Sequence, residues 1–354
     1  MAIKNVLFLC HPEMDYLQYM IFDGLSRVLG DENVITFPYN PTYYGEIADS
    51  YILDDGKRGF TVPNESILHR KKIVKTEEEI KKEIDGFDFV ISSTRTYARK
   101  ALNILRPLIS QPIAFLDGED GDDVKWDLVQ KYRPDYYFKR EYLMEQQSEY
   151  PTAHQPPIIP CPFAAVDNTI PIVDDTEKEY SVFLVHGFTH IMRDTATKLL
   201  LEMNPPNSYI WINTDYTRDG YNPYCNKEHF SKASEEILKR YSRLSYSEYL
   251  KMIAKSKIGV AVRGWGRDTL RRWEIPMYET LLFTHDIGLV EPHPFEDGKT
   301  CVMFKNDFSD FKEKIQYYLE NENERIKIAR AGKEHLYKYH TTEKRAAYIL
   351  ETIK

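Results

Sequence analysis

Short apolar runs alternate with helix-periodic segments twice along this chain, and that alternation constrains its fold more than any other feature. Asn5–Cys10 (NVLFLC) is an unbroken apolar run of the kind a parallel sheet buries on both faces. Tyr16–Leu29 follows with Leu17, Met20, Ile21, Leu25 and Val28 at helical spacing. Asn33–Phe37 reads as a second strand, closed by Pro38, and the polar, tyrosine-rich Tyr39–Lys72 reads mostly as loop. Helix Thr76–Ile84, strand Asp88–Ser92, helix Thr96–Ile109, strand Pro112–Leu116 and a short strand Tyr136–Phe138 complete the first series. Strands alternating with helices predict a parallel, doubly wound α/β sheet.

A second series follows Pro151–Pro162, where five prolines in twelve residues make the best linker candidate. It runs through strand Tyr180–Val185, helix Thr195–Met203, strand Tyr209–Asn213 and helices Ser231–Tyr241 and Tyr246–Ala254. Ser245 and Glu248 fit a capping box ahead of the last of these. Strand Ile258–Val262, helix Asp268–Leu282 and strands Asp286–Val290 and Cys301–Phe304 come next. The tail Phe308–Lys354 is helical, with Phe311, Ile315, Tyr318 and Leu319 on one face. A chain of 354 residues exceeds one typical core. The expected division is a first domain over 1–160, a second over 161–336 and a terminal helix over 337–354.

No stretch reaches the roughly 18 consecutive apolar residues of a membrane span, and the N-terminus lacks the layout of a signal peptide. The four cysteines form no CxxC pair, which fits a reducing, cytoplasmic setting. A formal net charge of −8 weighs against broad binding to a nucleic-acid backbone. No GxxxxGK[ST] loop, GxGxxG opening or GxSxG elbow is present, which counts against P-loop NTPases, dinucleotide oxidoreductases and α/β-hydrolases.

Against that acidic balance, Arg263–Arg272 (RGWGRDTLRR) holds four arginines and two glycines between a strand and a helix. Such a loop is either a solvated basic turn or a phosphate site built from arginine forks and a helix N-terminus. Asp268 is placed to cap the helix, Arg271 and Glu274 share a helical face, and Trp273 suits the core. Three further loops follow expected strands. His11 and Asp15 either cap the first helix or bring a base to a strand end. Asp117, Glu119, Asp120, Asp122 and Asp123 put five carboxylates in seven residues, as a general base, a divalent-metal site or a plain turn. His186–His190, with Arg193 beyond, offers Gly187 for close approach to a ligand and Thr189 as a helix cap or phosphate donor.

Gly266–Glu274 resembles the G-x-D-T-x-R-x-W-E signature of GT-B glycosyltransferases of the group 1, CgeB-like (spore-maturation protein) kind. Pro294–Phe304 and Asp307–Leu336 are similar to that family's late strand-turn-strand and paired helices, and Asp15–Leu25 matches more loosely. The resemblance implies two Rossmann-like domains facing a cleft, with the C-terminal helix crossing back to the first. It implies a nucleoside-diphosphate-sugar donor, expected to be a UDP-sugar, on the second domain and an acceptor on the first. Arg263, Arg267 and Arg271 would hold the diphosphate, with Gly187, Arg193, Asp268 and Thr269 in the same donor set, and Glu274 would meet a ribose or sugar hydroxyl. No metal and no cofactor besides the donor would be required. The family usually carries a small residue near the position of Glu279, so Glu274 and Glu279 both remain open as the donor contact.

The expected activity is transfer of a hexose-like group to a hydroxyl acceptor of unspecified class, whether glycan, small molecule, protein or modified base. Arginines would stabilise the leaving diphosphate. In an inverting reaction Asp117, Glu119, Asp120 or His11 would take the acceptor proton; a retaining reaction would use the leaving phosphate. The alternatives are a non-hydrolysing nucleotide-sugar epimerase, a nucleotide-sugar binding protein without chemistry and, against the charge balance, a DNA-base glycosyltransferase.

Overall fold

The computed structural model describes residues 3–12, 15–44, 70–143, 154–166, 177–187, 189–213 and 244–353. The expected helix Ser231–Tyr241 and most of the Tyr39–Lys72 loop lie outside them, as do Glu13, Met14 and Phe188. The chain divides into two units. The first comprises Met1–Thr169, Leu289–Pro292 and Tyr339–Lys354; the second comprises Ile170–Gly288 and His293–Lys338.

The first unit is a parallel sheet in the order β2-β1-β3-β4-β5-β6. Its strands are β1 (Val6–Leu9), β2 (Val34–Phe37), β3 (Phe89–Ser93), β4 (Ile113–Asp117), β5 (Tyr136–Lys139) and β6 (Ile158–Pro160). Helices α1 (Tyr16–Leu29), α2 (Glu77–Glu83), α3 (Thr96–Leu105) and α4 (Trp126–Tyr132) connect them. Leu7, Val90, Ile113 and Phe115 bury one sheet face against Ala98, Leu102 and Leu105 of α3 and Leu128 and Val129 of α4. The starts of the helices follow local chemistry. Asp15 caps α1 by accepting from Gln18 N at 3.0 Å, and Thr76 and Glu79 close a full capping box on α2.

The described part of the proline-rich segment, 154–162, contributes a strand where a linker was expected. Ile158–Pro160 pairs with β5 as an edge strand, Tyr137 opposite Ile158 and Lys139 opposite Pro160. An edge strand tolerates prolines because one row of its backbone groups has no partner strand.

The second unit repeats the plan. Strands β7 (Tyr180–Gly187), β8 (Tyr209–Asn213), β9 (Ser256–Val260), β10 (Leu281–His285) and β11 (Val302–Phe304) form a parallel sheet ordered β11-β10-β9-β7-β8. Counted from its own first strand this is the order 2-1-3-4-5, as in the first five strands of the first unit. Its helices are α5 (Ile191–Met203), α6 (Tyr246–Ala254), α7 (Leu270–Glu274), α8 (Phe311–Glu320) and α9 (Glu322–Tyr339), and α10 (Thr342–Thr352) ends the chain. Val182, Leu184, Ile258, Val260, Leu281 and Phe283 pack against Ala196 and Leu200 of α5 and Phe311 and Ile315 of α8. The terminal α10 lies on α1: a Cβ at Gly24 would stand 2.0 Å from Thr342 O, and Thr342 Oγ1 donates to the buried Asp23 carboxylate. No described helix is long and apolar enough to cross a membrane.

Several expected boundaries move. The helix expected over Asp268–Leu282 is only Leu270–Glu274, followed by a 3-10 turn at Pro276–Tyr278. Pro276 has no N–H to continue the ladder, and Leu281–Phe283 are strand residues buried on both faces. The strand expected at Asp286–Val290 is therefore β10, five residues earlier. The strand expected at Ile258–Val262 runs over Ser256–Val260.

Candidate functional site

In an open parallel sheet a ligand site forms at the strand carboxyl ends, where neighbouring crossovers leave in opposite directions. In the second unit that point lies between β7 and β9. The sequence places Gly187 at the end of β7 and the arginine loop just past β9.

Arg193, near the start of α5, fastens the two together. Its Nη1 donates to Gly187 O at 2.8 Å and its Nε to Arg263 O at 3.0 Å. Gly264 lies against the same guanidinium, where a Cβ would fall 2.6 Å from Arg193 Nη2 and 2.8 Å from Thr189 Oγ1. A side chain there would have to displace the Arg193 guanidinium or the Thr189 hydroxyl. The buried Arg193 is thus spent on backbone carbonyls, and its place is to shape the loop. His285, at the end of β10, accepts from Arg263 N through Nε2 at 3.3 Å and uses Nδ1 toward Asn306 Oδ1 at 2.9 Å. Arg263 reaches Trp265 O at 3.2 Å, and Arg267 reaches Ile287 O at 3.1 Å.

Arg271 is 6% exposed, and its Nε donates to no described residue. The adjacent Arg272 is buried over the rings of Trp273 and Phe295, with Cζ 5.3 and 5.5 Å from their centroids. Trp273 is core, as its type suggests, and its Nε1 donates to Asp268 Oδ1 at 2.7 Å. That bond corrects the expected cap. Thr269 is the N-cap residue of α7 and makes no side-chain cap bond, while Asp268 serves the indole. A five-residue helix also carries little macrodipole, so attraction for an anion rests on the arginines. Thr189 is likewise not the cap of α5; His190 is, accepting from Met192 N through Nδ1 at 3.2 Å.

The histidines report the local field. Burial, reinforced by Arg263, Arg193, His285 and Arg267, pushes His190 down to about 4. Burial, then Arg193 and Arg271, holds His186 well below its ordinary value. His285 is lowered chiefly by burial, with Arg263 and Arg272 adding to the effect against the hydrogen bonds its ring gives to Asn306 Oδ1 and Asp286 O. Burial is the first cause in all three, and the arginines beside them add positive charge to the region.

Glu274, also buried, accepts Tyr246 Oη on Oε1 at 2.9 Å and Tyr249 Oη on Oε2 at 2.7 Å. Burial pushes its pKa up, while the two tyrosines and Arg271 oppose the rise. The two phenol rings stack at 6.0 Å. A carboxylate has about four lone-pair directions, so two hydrogen bonds do not exhaust its capacity to accept. Glu279 is at the other end of the sheet. It stands two residues ahead of β10, beside Tyr278 O, which Lys178 Nζ ties to Ala254 O ahead of β9.

Sequence reasoning missed His285, Asn306, Tyr246 and Tyr249. The tyrosines were within reach, because the Ser245–Glu248 capping box is present and fixes them three apart on one face of α6.

In the first unit, His11 follows β1. Its N donates to Gln18 Oε1 at 2.7 Å and its ring lies 5.0 Å from Tyr97. Asp117 is the last residue of β4 and fully buried. It accepts Tyr137 Oη at 2.6 Å, Lys139 Nζ at 3.0 Å and Glu119 N at 3.2 Å. A carboxylate so enclosed and so fully paired is a structural anchor and cannot take a proton from an acceptor. Glu119 meets Lys125 at 3.0 Å, and Asp120 pairs with Arg140.

Residues 212–351 match the family described as "Glycosyl transferase-like". No curated protein sequence matches the chain. Among solved structures it is similar to HepE of Anabaena in complex with UDP, at 10% identity and TM-score 0.60 over 99% of both chains. It is also similar to a glycosyltransferase from Rickettsia africae ESF-5, at 10% identity and TM-score 0.62 over 99% of this chain and 97% of that one. Sucrose-phosphate synthase from Thermosynechococcus elongatus compares at 12% identity and TM-score 0.59 over 98% and 97%. At these identities the likeness is one of fold. The chain has the two-domain α/β fold of GT-B glycosyltransferases, and its residues 212–351 are glycosyl transferase-like in sequence.

Proposed function

We propose that the protein is a glycosyltransferase that moves a hexose from a nucleoside-diphosphate sugar, a UDP-sugar by preference, to a hydroxyl acceptor. The observation that carries this reading is the cluster of Arg263, Arg267 and Arg271 at the β7/β9 switch point, beside His186, His190 and His285. Negative charge grows on the leaving diphosphate as the glycosidic bond breaks, and fixed guanidinium donors stabilise it there without reorganising. Arg193 holds the loop, Gly187 lines it, and Glu274 takes a hydroxyl of the donor on the lone pairs its tyrosines leave. Asp268 and Thr269 shape the start of α7. HepE has been crystallised with UDP and with UDP-glucose, which supports the choice of nucleotide. Glu119, Asp120 and His11 are the candidates for the acceptor's proton once Asp117 is set aside.

The test is donor binding by Arg271→Ala, read as the melting-temperature rise that UDP and UDP-glucose produce by mass action. A lost charge-assisted hydrogen bond contributes about 1.5–3 kcal/mol, so affinity should fall roughly ten- to a hundredfold. Unchanged affinity for every nucleoside diphosphate would remove the donor-site assignment. Incubation of the wild type with UDP-sugar alone separates transfer from epimerisation, since only an epimerase returns an isomerised donor without acceptor.

A further inference from the structure

His186 lies in β7 immediately before Gly187 and is 2% exposed. Its Nε2 is 3.0 Å from Thr197 Oγ1. The single proton of that hydroxyl goes to Arg193 O at 2.8 Å, so toward the imidazole Thr197 only accepts. The ring proton therefore sits on Nε2, and Nδ1 is a bare lone pair. Nδ1 is enclosed and takes a hydrogen bond from no described residue. The enclosed Nε of Arg271 gives its proton to none either. Burial first, then Arg193 and Arg271 as the charged neighbours of the ring, oppose a second proton on it.

One buried acceptor and one buried donor thus stand unused on two residues of the arginine site. Leaving such groups unpaired is costly, and a ligand that satisfies them binds better for it. A fully ionised diphosphate oxygen suits Arg271 but is repelled by a bare imidazole lone pair. A hydroxyl gives one hydrogen bond and accepts another, so it suits either. We infer that His186 is a specificity-determining residue that reads a hydroxyl of the nucleotide-sugar donor, next to the arginines that hold its diphosphate. The inference rests on the donor reading of the site. The hydroxyl belongs to the ribose or to the transferred sugar, which share this chemistry.

The experiment uses the full chain labelled with 15N-histidine, with His186 assigned from the H186Q spectrum. In the free protein the Nε2–H tautomer is expected; an Nδ1–H tautomer overturns the proposal. The probes are UDP, 2′,3′-dideoxyuridine diphosphate and UDP-glucose, each at a concentration that raises the melting temperature. Movement of the Nδ1 resonance with UDP but not with the dideoxy analogue assigns the ribose. Movement with UDP-glucose alone assigns the sugar. An unmoved Nδ1 with all three bound overturns the proposal.

Two variants give a second readout. H186Q keeps the donor toward Thr197 and lacks the Nδ1 acceptor, so it should bind the responsive probe about tenfold more weakly. H186N places an amide oxygen where Nδ1 was and should stay within about threefold of wild type. Equal losses in the two variants would mean a structural role only and would also overturn it. If neither UDP nor UDP-glucose raises the melting temperature of the wild type, the donor reading itself fails and this inference falls with it.

Discussion

Tyr249 donates its hydroxyl to Glu274 Oε2 at 2.7 Å, one helix gripping the carboxylate of another inside the second unit. Both groups are buried, so neither can turn to water if the other is removed. An ionised Glu274 can only accept from the tyrosine, and the bond therefore opposes the rise in pKa that burial causes. Tyr249→Phe leaves the ring and its packing but strands the carboxylate. Urea unfolding should show a loss of about 1.5–3 kcal/mol, the range for hydrogen bonds to charged groups. The same variant should bind UDP more weakly, because Glu274 becomes easier to protonate and loses acceptor capacity. Unaltered stability would mean that Glu274 does not depend on this donor.

Arg193 makes a different kind of demand, because its work is geometric. Two carbonyl oxygens, Gly187 O and Arg263 O, are reached from one planar fork at 2.8 and 3.0 Å. A lysine carries the same charge on a single nitrogen and cannot hold that fork. Arg193→Lys should keep the net charge of the site yet weaken UDP binding about tenfold, by calorimetric titration, because the loop from Arg263 to Arg267 loses its anchor. If only the charge of Arg193 matters, the lysine variant will bind as the wild type does.

The lowered histidines tie stability to pH with a definite sign. His190 titrates near 4 in the folded protein, against about 6.5 when unfolded. Between those values the unfolded chain holds more protons, so stability falls as pH drops from about 6.5 toward about 4 and is complete above that window. Its Nδ1 also accepts the cap bond of α5 from Met192 N, which a proton there would break. The melting temperature should decline across this range, and His190→Gln should flatten the decline. Bound UDP should soften it too, since its negative charge offsets the arginines. A melting temperature flat from pH 6.5 to 4.5 would contradict the depressed value.

How much of this was legible in the sequence depends on the range of the interaction. Parallel strands buried on both faces betray themselves as apolar runs, so NVLFLC and the runs after it marked both sheets. Capping is local, which is why Asp15, Ser245 and Glu248 could be read directly. The arginine loop was visible as composition. The use made of each arginine was not, because it depends on contacts that the fold creates: Arg193 meets Arg263 O across 70 positions of chain. Tyr249 and Glu274 are 25 apart, and His285 meets Arg263 N across 22. Asp117 misled for the same reason. Its partners Tyr137 and Lys139 lie on the next strand, and only strand pairing converts a carboxylate in an acidic run into a buried anchor. The proline-rich segment misled because the rule that prolines stop strands weakens at a sheet edge.

Glu279 provides the last prediction, since the sequence left it level with Glu274 as a donor contact. Its φ is 53°, in the left-handed region where a side chain crowds its own backbone. It ends the 3-10 turn after α7, a place where glycine is the usual choice. The compensating contact is a pair with Arg330 at 3.3 Å, whose side chains are 27% and 64% exposed. Ion pairs that open to water contribute about 0–1 kcal/mol. The left-handed backbone costs about 1–2 kcal/mol, and glycine returns part of that through its freer unfolded state. Glu279→Gly should therefore stabilise the protein by up to about 1 kcal/mol in urea unfolding. Because Glu279 lies before β10 while the arginines lie past the carboxyl end of β9, UDP affinity should stay within about twofold. A variant that gained stability but lost UDP binding would move the donor contact from Glu274 to Glu279, and would require the ligand to reach the amino ends of the strands.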